Sequence, residues 1–275
     1  MKPAAFDYIR ARELPEALEA LARHGADARV IAGGQSLLPM LNMRLARPAV
    51  LIDIMGIAGL DRVERDGDLI VVPAVVRQAA LMKRPGLSGE QPLLAAALPW
   101  LGHYQTRARG TVCGSAAHAD PSAEIPLCLV ALDGEVRLRS RRRWRSVRAA
   151  DFFGGMMVTD KADDELIEAV AFPAAMTETG YAFREVARRH GDFAIVGCAA
   201  VVTRDAIHLA VAGVADKPQR RSFPPLKGSA LTDALNGFAW DLEARDDFHA
   251  TARLRRDLVR SLGLSTIGEA QRCLA

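Results

Sequence analysis

The sequence lacks any paired cysteine spacing. Its four cysteines, Cys113, Cys128, Cys198 and Cys273, are scattered, with no CxxC among them. They form no recognisable zinc or iron–sulfur site alone and read as reduced thiols, so a cytoplasmic location is expected. Long hydrophobic runs are missing too. The longest, such as Ala194 to Val202 around Gly197, fall well short of the roughly 18 residues a membrane span needs. The opening residues contain no apolar core of a secretory signal. Charge of one sign is scarce: 36 Lys and Arg face 33 Asp and Glu, too even a balance to imply a nucleic-acid partner. There is no internal repeat, and neither G-x-G-x-x-G nor G-x-x-x-x-G-K-[ST] occurs, which points away from an ordinary Rossmann or P-loop site. What is present is a globular composition, 50% hydrophobic and 25% charged over 275 residues, long enough for two or three lobes.

Three styles of pattern follow one another. Leu14 to Gly25 has apolar Ala17, Leu18 and Leu21, an early proline and a terminal glycine, which predicts an amphipathic helix. Ala28–Ala32 reads as a buried strand, Ser36 to Leu45 as a helix and Val50–Ile54 as a strand, a small βαβ-like lobe ending near Gly56. The middle segment opens on a hairpin turn at Asp66-Gly67 before Leu69–Val72. Helices are expected over Leu93–Leu101 and Ile125–Leu132, and strands at Glu135–Arg139 and around Glu165–Pro173. Beyond about Thr177, Tyr181–Ala187, Phe193–Thr203 and Ile207–Val214 read as three consecutive strands. Helices at Ser229–Gly237 and about Asp247–Leu262 follow, so an α+β lobe closes the chain.

Two glycine-bearing segments could carry chemistry. Ala32-Gly33-Gly34-Gln35-Ser36 lies between a strand and a helix, where backbone N–H groups can converge on an anion, and Gly110-Thr111-Val112-Cys113-Gly114-Ser115 has the same ingredients. Either one alone also fits an ordinary tight turn.

Together the motifs are more specific. Ala32-Gly-Gly-Gln-Ser36, Gly102-His103, Arg107, Arg109-Gly-Thr-Val-Cys-Gly-Ser-Ala-Ala-His-Ala-Asp-Pro-Ser-Ala-Glu124, Asp151-Phe-Phe-Gly-Gly, Asp164-Glu-Leu-Ile and Arg188-Arg-His-Gly-Asp-Phe-Ala194 occur in this order. The chain thereby resembles, over essentially its whole length, the FAD-binding medium subunit of molybdenum hydroxylases. That group includes carbon monoxide dehydrogenase and the flavin domain of xanthine dehydrogenase. The resemblance implies an α+β protein with an FAD-binding domain of the vanillyl-alcohol-oxidase (PCMH) type in two α/β subdomains, residues 1–56 and 57–176. A C-terminal α+β domain, 177–275, with a three-stranded antiparallel sheet and helices, would close over the flavin.

The same resemblance implies a non-covalent FAD site. Ala32, Gly33, Gly34, Gln35 and Ser36, flanked by Ile31 and Leu37 of the same set, would wrap the pyrophosphate, and Thr111, Val112, Cys113, Gly114 and Ser115 would lie along flavin and pyrophosphate. Glu124 would hold ribityl or ribose hydroxyls. Leu101, His103, His118 and Asp120 join the set, with Ile167, Arg184 and Phe193 as contacts reaching from strand and closing lobe. Three departures stand out: Cys113 replaces a usual glycine, Arg184 a usual lysine, and Pro73 interrupts a usual Ile-Gly-Ala. Cys113 is expected at negative φ with its sulfur beside the isoalloxazine, leaving Gly114 the unusual backbone or the closest approach.

No catalytic residue and no metal ligand is expected in this chain. His103 and His118 read as structural hydrogen-bonding groups before proton donors, and Arg107 and Arg109 either neutralise phosphate or pair with acidic neighbours. The run Arg139–Arg148 reads as a solvated hairpin, with a docking surface for an acidic partner as the competitor. The function implied is that of an FAD electron-transfer subunit. A partner large subunit would hold molybdopterin and oxidise the substrate, and a small one would hold two [2Fe–2S] clusters, in a dimer of heterotrimers. A self-sufficient flavin oxidoreductase of the same fold and a non-redox nucleotide-binding or assembly factor are the alternatives.

Overall fold

The computed structural model describes residues 2–274. The first sheet is parallel, built from β1 (Asp7–Arg10), β2 (Ala28–Ile31) and β3 (Val50–Asp53) in the order β1-β3-β2. Helix Leu14–His24 carries the chain from β1 to β2 and buries Ala17, Leu18, Ala20 and Leu21. Its apolar side chains recur every three to four residues, so one stripe faces the sheet. β1 was not expected from sequence: it is a polar edge strand whose Tyr8 hydroxyl donates to Asp53. The second helix is shorter than expected, Leu37–Asn42, because Arg44 takes a left-handed conformation, φ +58°.

The second sheet is antiparallel, in the order β4-β5-β10-β6-β7, with β4 (Glu64–Asp66), β5 (Leu69–Pro73), β6 (Glu135–Arg139), β7 (Trp144–Arg148) and β10 (Leu166–Pro173). A two-stranded ribbon of β8 (Phe153–Gly155) and β9 (Val158–Thr159) stands apart. Pro73 ends β5 without breaking it. Helix Glu124–Ala131 is buried at every position because the C-terminal sheet covers one side of it and helices Pro92–Ala97, Val112–His118 and Ala149–Phe152 pack around the rest.

The C-terminal sheet is a meander of β11 (Gly180–Val186), β12 (Val196–Val202), β13 (Ile207–Ala212) and β14 (Gln219–Phe223). It has four strands, which corrects the three expected. β14, Gln-Arg-Arg-Ser-Phe, is an edge strand whose mostly polar sequence hides it from a reading of hydrophobic alternation. One face packs on helices Gly228–Asp241 and Ala252–Arg272. The other face, through Tyr181, Phe183, Ala199 and Val201, joins the core of the FAD-binding region. The last helix begins later than expected because the Thr251 hydroxyl caps it, accepting from the Leu254 N–H at 3.2 Å. Among the described residues no helix is long and apolar enough to cross a membrane.

Candidate functional site

The two glycine loops meet. A Cβ added to Gly33 would lie 2.7 Å from the Cα of Gly110 and would overlap the Arg109 carbonyl, so only glycine allows this backbone-to-backbone approach. Gly34 turns the chain with φ +70°, and the Gln35 side chain donates to the Gly33 carbonyl at 3.0 Å. The N–H groups of Gly33, Gly34, Gln35 and Ser36 donate to no carbonyl among the described residues, and the Ser36 hydroxyl caps nothing. Consecutive unpaired N–H groups beside a second glycine turn fit a phosphate-bearing ligand.

The second loop is held by its own bonds. Gly110 accepts from the Gln78 N–H at 2.9 Å, and Val112 donates to the Val76 carbonyl at 3.1 Å. The Thr111 hydroxyl caps helix Val112–His118 by accepting from Gly114 N–H at 3.0 Å. Gly114 is helical, so the unusual backbone expected there is absent. What a side chain at Gly114 would meet is the Thr111 hydroxyl, at 2.7 Å. Cys113 has negative φ, as expected, but its sulfur turns into the core and donates to the Val72 carbonyl at 3.3 Å. Val112 and Cys113 therefore have only backbone to offer a ligand. The outer face of this helix presents Gly114, Ser115 and His118 instead.

Burial pushes the Cys113 and Cys198 thiols up to about 12 and raises Cys128 as well, so none supplies thiolate at neutral pH. Cys273 alone is exposed. A disulfide thiol reagent should therefore titrate one group in the native apo chain and four in denaturant. Mapping a fast second reaction to Cys113 would place its sulfur in the cleft and sink this orientation.

His103 is exposed next to buried Leu101. The closing lobe touches here: Gly191, φ +88°, has no room for a side chain, which would lie 2.5 Å from His103 Nδ1. Arg107 makes no ion pair among the described residues. Its Nη1 donates to the carbonyls of Leu101 at 2.7 Å and Gly102 at 2.6 Å, pinning that turn. Arg109 is exposed. Asp120 caps the following turn, accepting from Ser122 N–H at 2.8 Å. Glu124 is 5% exposed at the start of its helix, and burial pushes its carboxyl up to about 7.

Two residues fall elsewhere. The Ile167 side chain is buried in the core on β10, opposite Leu138. Arg184 points to the far face of β11, where it donates to Glu269 at 2.8 Å, so it is not brought to the cleft. Its neighbour Glu185 points inward instead, on the buried face that Tyr181 and Phe183 share. Phe193 is 59% exposed and free to lie against a ligand.

The model of the FAD binding domain in molybdopterin dehydrogenase matches residues 4–175. The chain is 37% identical over 282 residues to the nicotine 6-hydroxylase medium subunit of Paenarthrobacter nicotinovorans, covering 98% of this chain and 99% of that one. It is 42% identical over 205 residues to the 6-hydroxypseudooxynicotine dehydrogenase complex subunit alpha of the same organism, covering 74% and 69%. It superimposes on a chain of carbon monoxide dehydrogenase from Hydrogenophaga pseudoflava with a TM-score of 0.93 at 29% identity, over 100% of each. The chain belongs to the family of FAD-binding domains of the molybdopterin dehydrogenases.

Proposed function

We propose that this chain is the FAD-carrying electron-transfer subunit of a heteromeric molybdenum hydroxylase, taking electrons from the [2Fe–2S] clusters of a small subunit and delivering them to an external acceptor. The observation that carries the reading is the contact of the two glycine loops, which brings the two halves of the FAD-binding region together beside the unpaired N–H groups of Gly33 to Ser36. Bound FAD supplies the electron exchange; the chain binds it, orients it and limits access to it. The Gly33–Ser36 N–H groups take the pyrophosphate, and Glu124 takes sugar-type hydroxyls. The exposed face of helix Val112–His118, with His103 and Phe193, borders the ring system. The four cysteines show no cluster motif, which supports placing the clusters on a partner subunit; molybdopterin would sit on a large subunit, in a dimer of heterotrimers.

Stripping FAD from the complex separates this role from a self-sufficient oxidoreductase. Substrate should still reduce the partner's clusters, acceptor reduction should fall by roughly a hundredfold or more, equivalent to about 2.7 kcal/mol of lost stabilisation, and added FAD should restore it. Bleaching of the flavin by substrate in this chain alone, without partners, would overturn the assignment.

A further inference from the structure

The loop that carries Phe193 joins β11 to β12 and is held at both ends. At its tip His190 lies against Trp100, ring centres 5.0 Å apart, and Gly191 is pressed on His103. At its base the Ile195 N–H donates to the Val186 carbonyl at 2.7 Å, and the Ile195 carbonyl accepts from Arg255 Nη1 at 2.7 Å. The same Nη1 donates to the carbonyl of Gly213, in the turn that follows β13. Gly213, φ +79°, lies so close that a Cβ there would be 2.6 Å from the Ile195 carbonyl oxygen and 2.8 Å from that of Ala194. Its own N–H reaches across to the Pro121 carbonyl at 2.8 Å, in the turn that leads to Glu124. One guanidinium thus ties the base of the Phe193 loop to the point where the closing lobe meets the FAD-binding region.

Arginine is a costly choice at position 255. The residue is 5% exposed and sits near the start of helix Ala252–Arg272, the end at which the helix dipole opposes a cation. Its charge is offset by Asp247, which pairs with Nη2 and is itself fixed by the N–H groups of His249 and Ala250 at 2.8 Å each. An apolar side chain would fill the same space without the cost of burying a charge. What a guanidinium alone supplies is a planar fork that serves two carbonyls and a carboxylate together. We propose that Arg255 is a positioning residue for the flavin, acting through the Ile195 and Gly213 carbonyls to hold Phe193 at the cleft. It rests on the reading that Phe193 borders the ring system. Without the tie the base of the loop is free to shift, and Phe193, two residues from Ile195, shifts with it.

Arg188 and Arg189 are exposed in this loop, so trypsin reports on it, and exposed Arg142 in the distant β6–β7 turn serves as the reference. In the deflavinated full-length chain, Arg255→Lys should raise cleavage after Arg188 and Arg189 about tenfold, read by mass spectrometry, with cleavage after Arg142 unchanged. Reloaded with FAD, Arg255→Lys should bind it about fivefold more weakly than wild type, with an altered visible circular dichroism of the flavin. Phe193→Ala should weaken FAD similarly, and the double variant should be no worse than either single one, because both changes remove the same contact. Phe193 is exposed, so its variant folds whatever Arg255→Lys does. Cleavage after Arg142 rising in step with that after Arg188 and Arg189 would reduce Arg255 to a general stabiliser and overturn the proposal. FAD losses that multiply in the double variant, or wild-type FAD binding by Phe193→Ala, would overturn it as well. A wild type that binds no FAD, with the loop still loosened by Arg255→Lys, would locate the failure in the cofactor reading and not in the tie.

Discussion

Alanine in place of Gly33 is expected to cost the chain its FAD. The new methyl group would meet the Gly110 Cα at 2.7 Å and the Arg109 carbonyl closer still, and neither is the end of a flexible side chain that can swing aside. The loops must separate, and the N–H array of the first then no longer shares a geometry with the turn of the second. A loss of roughly a hundredfold or more in affinity, about 2.7 kcal/mol, is the expected size. Gly34→Ala gives the comparison. Its strain is a φ of +70°, and its nearest neighbour is the Leu38 side chain at 2.9 Å, which can yield. Left-handed backbone costs alanine about 1 kcal/mol, so FAD should bind at most roughly fivefold more weakly but still bind. The flavin-to-protein absorbance ratio after gel filtration reads both variants, and circular dichroism shows whether each remains folded. A folded Gly33→Ala chain with FAD affinity within threefold of wild type would mean that the two loops do not form one site.

That contact was half legible in the sequence. Glycine pairs between a strand and a helix mark loops that could take an anion, and the order of motifs marks the family. Pattern alone cannot show that Gly33 lies against Gly110. What the sequence hid follows physical lines. β1 and β14 are polar edge strands, which present little hydrophobic alternation to find. The resemblance brings Arg184 to the cleft, but along β11 side chains alternate between the two faces of the sheet, and Arg184 falls on the far one, against Glu269. The resemblance puts Cys113 beside the flavin because relatives carry glycine at that position. The Thr111 cap instead winds this segment into a helix, and the helix turns the sulfur inward. The charge of Arg107 is visible in sequence, whereas the carbonyls of Leu101 and Gly102 that it clamps are not.

The arginine-rich turn yields the other large expected effect, and it concerns stability. Ser140–Arg143 joins β6 to β7 as a tight hairpin, with Ser140 N–H donating to the Arg143 carbonyl at 2.9 Å. Its charges are largely spent within the chain: Arg141 pairs with Glu19 at 2.8 Å, and Arg143 reaches Glu165 at 3.1 Å. Arg145 grips both oxygens of Glu165, through Nε and Nη2 at 2.7 Å each, while also pairing with Asp160. Glu165 is fully buried, and the Ala162 N–H donates to it at 2.8 Å. This holds its carboxyl down at about 2, with the Arg145 hydrogen bonds the largest cause. A carboxylate whose folded value is depressed contributes stability above its unfolded value, and that contribution is lost as pH falls from about 4.5 through about 2. Arg145→Ala strands a buried charge that only Arg143 and one N–H then compensate, a defect worth about 3 kcal/mol. Urea unfolding at pH 7 should show that loss, with a Tm roughly 5–10 °C lower. The acid-unfolding midpoint should move upward, because Glu165 then takes its proton at higher pH. Arg145→Lys should fall between, since an ammonium keeps the charge but not the two-pronged grip. An Arg145→Ala chain with unchanged urea and acid midpoints would show that Glu165 is held by its other partners alone.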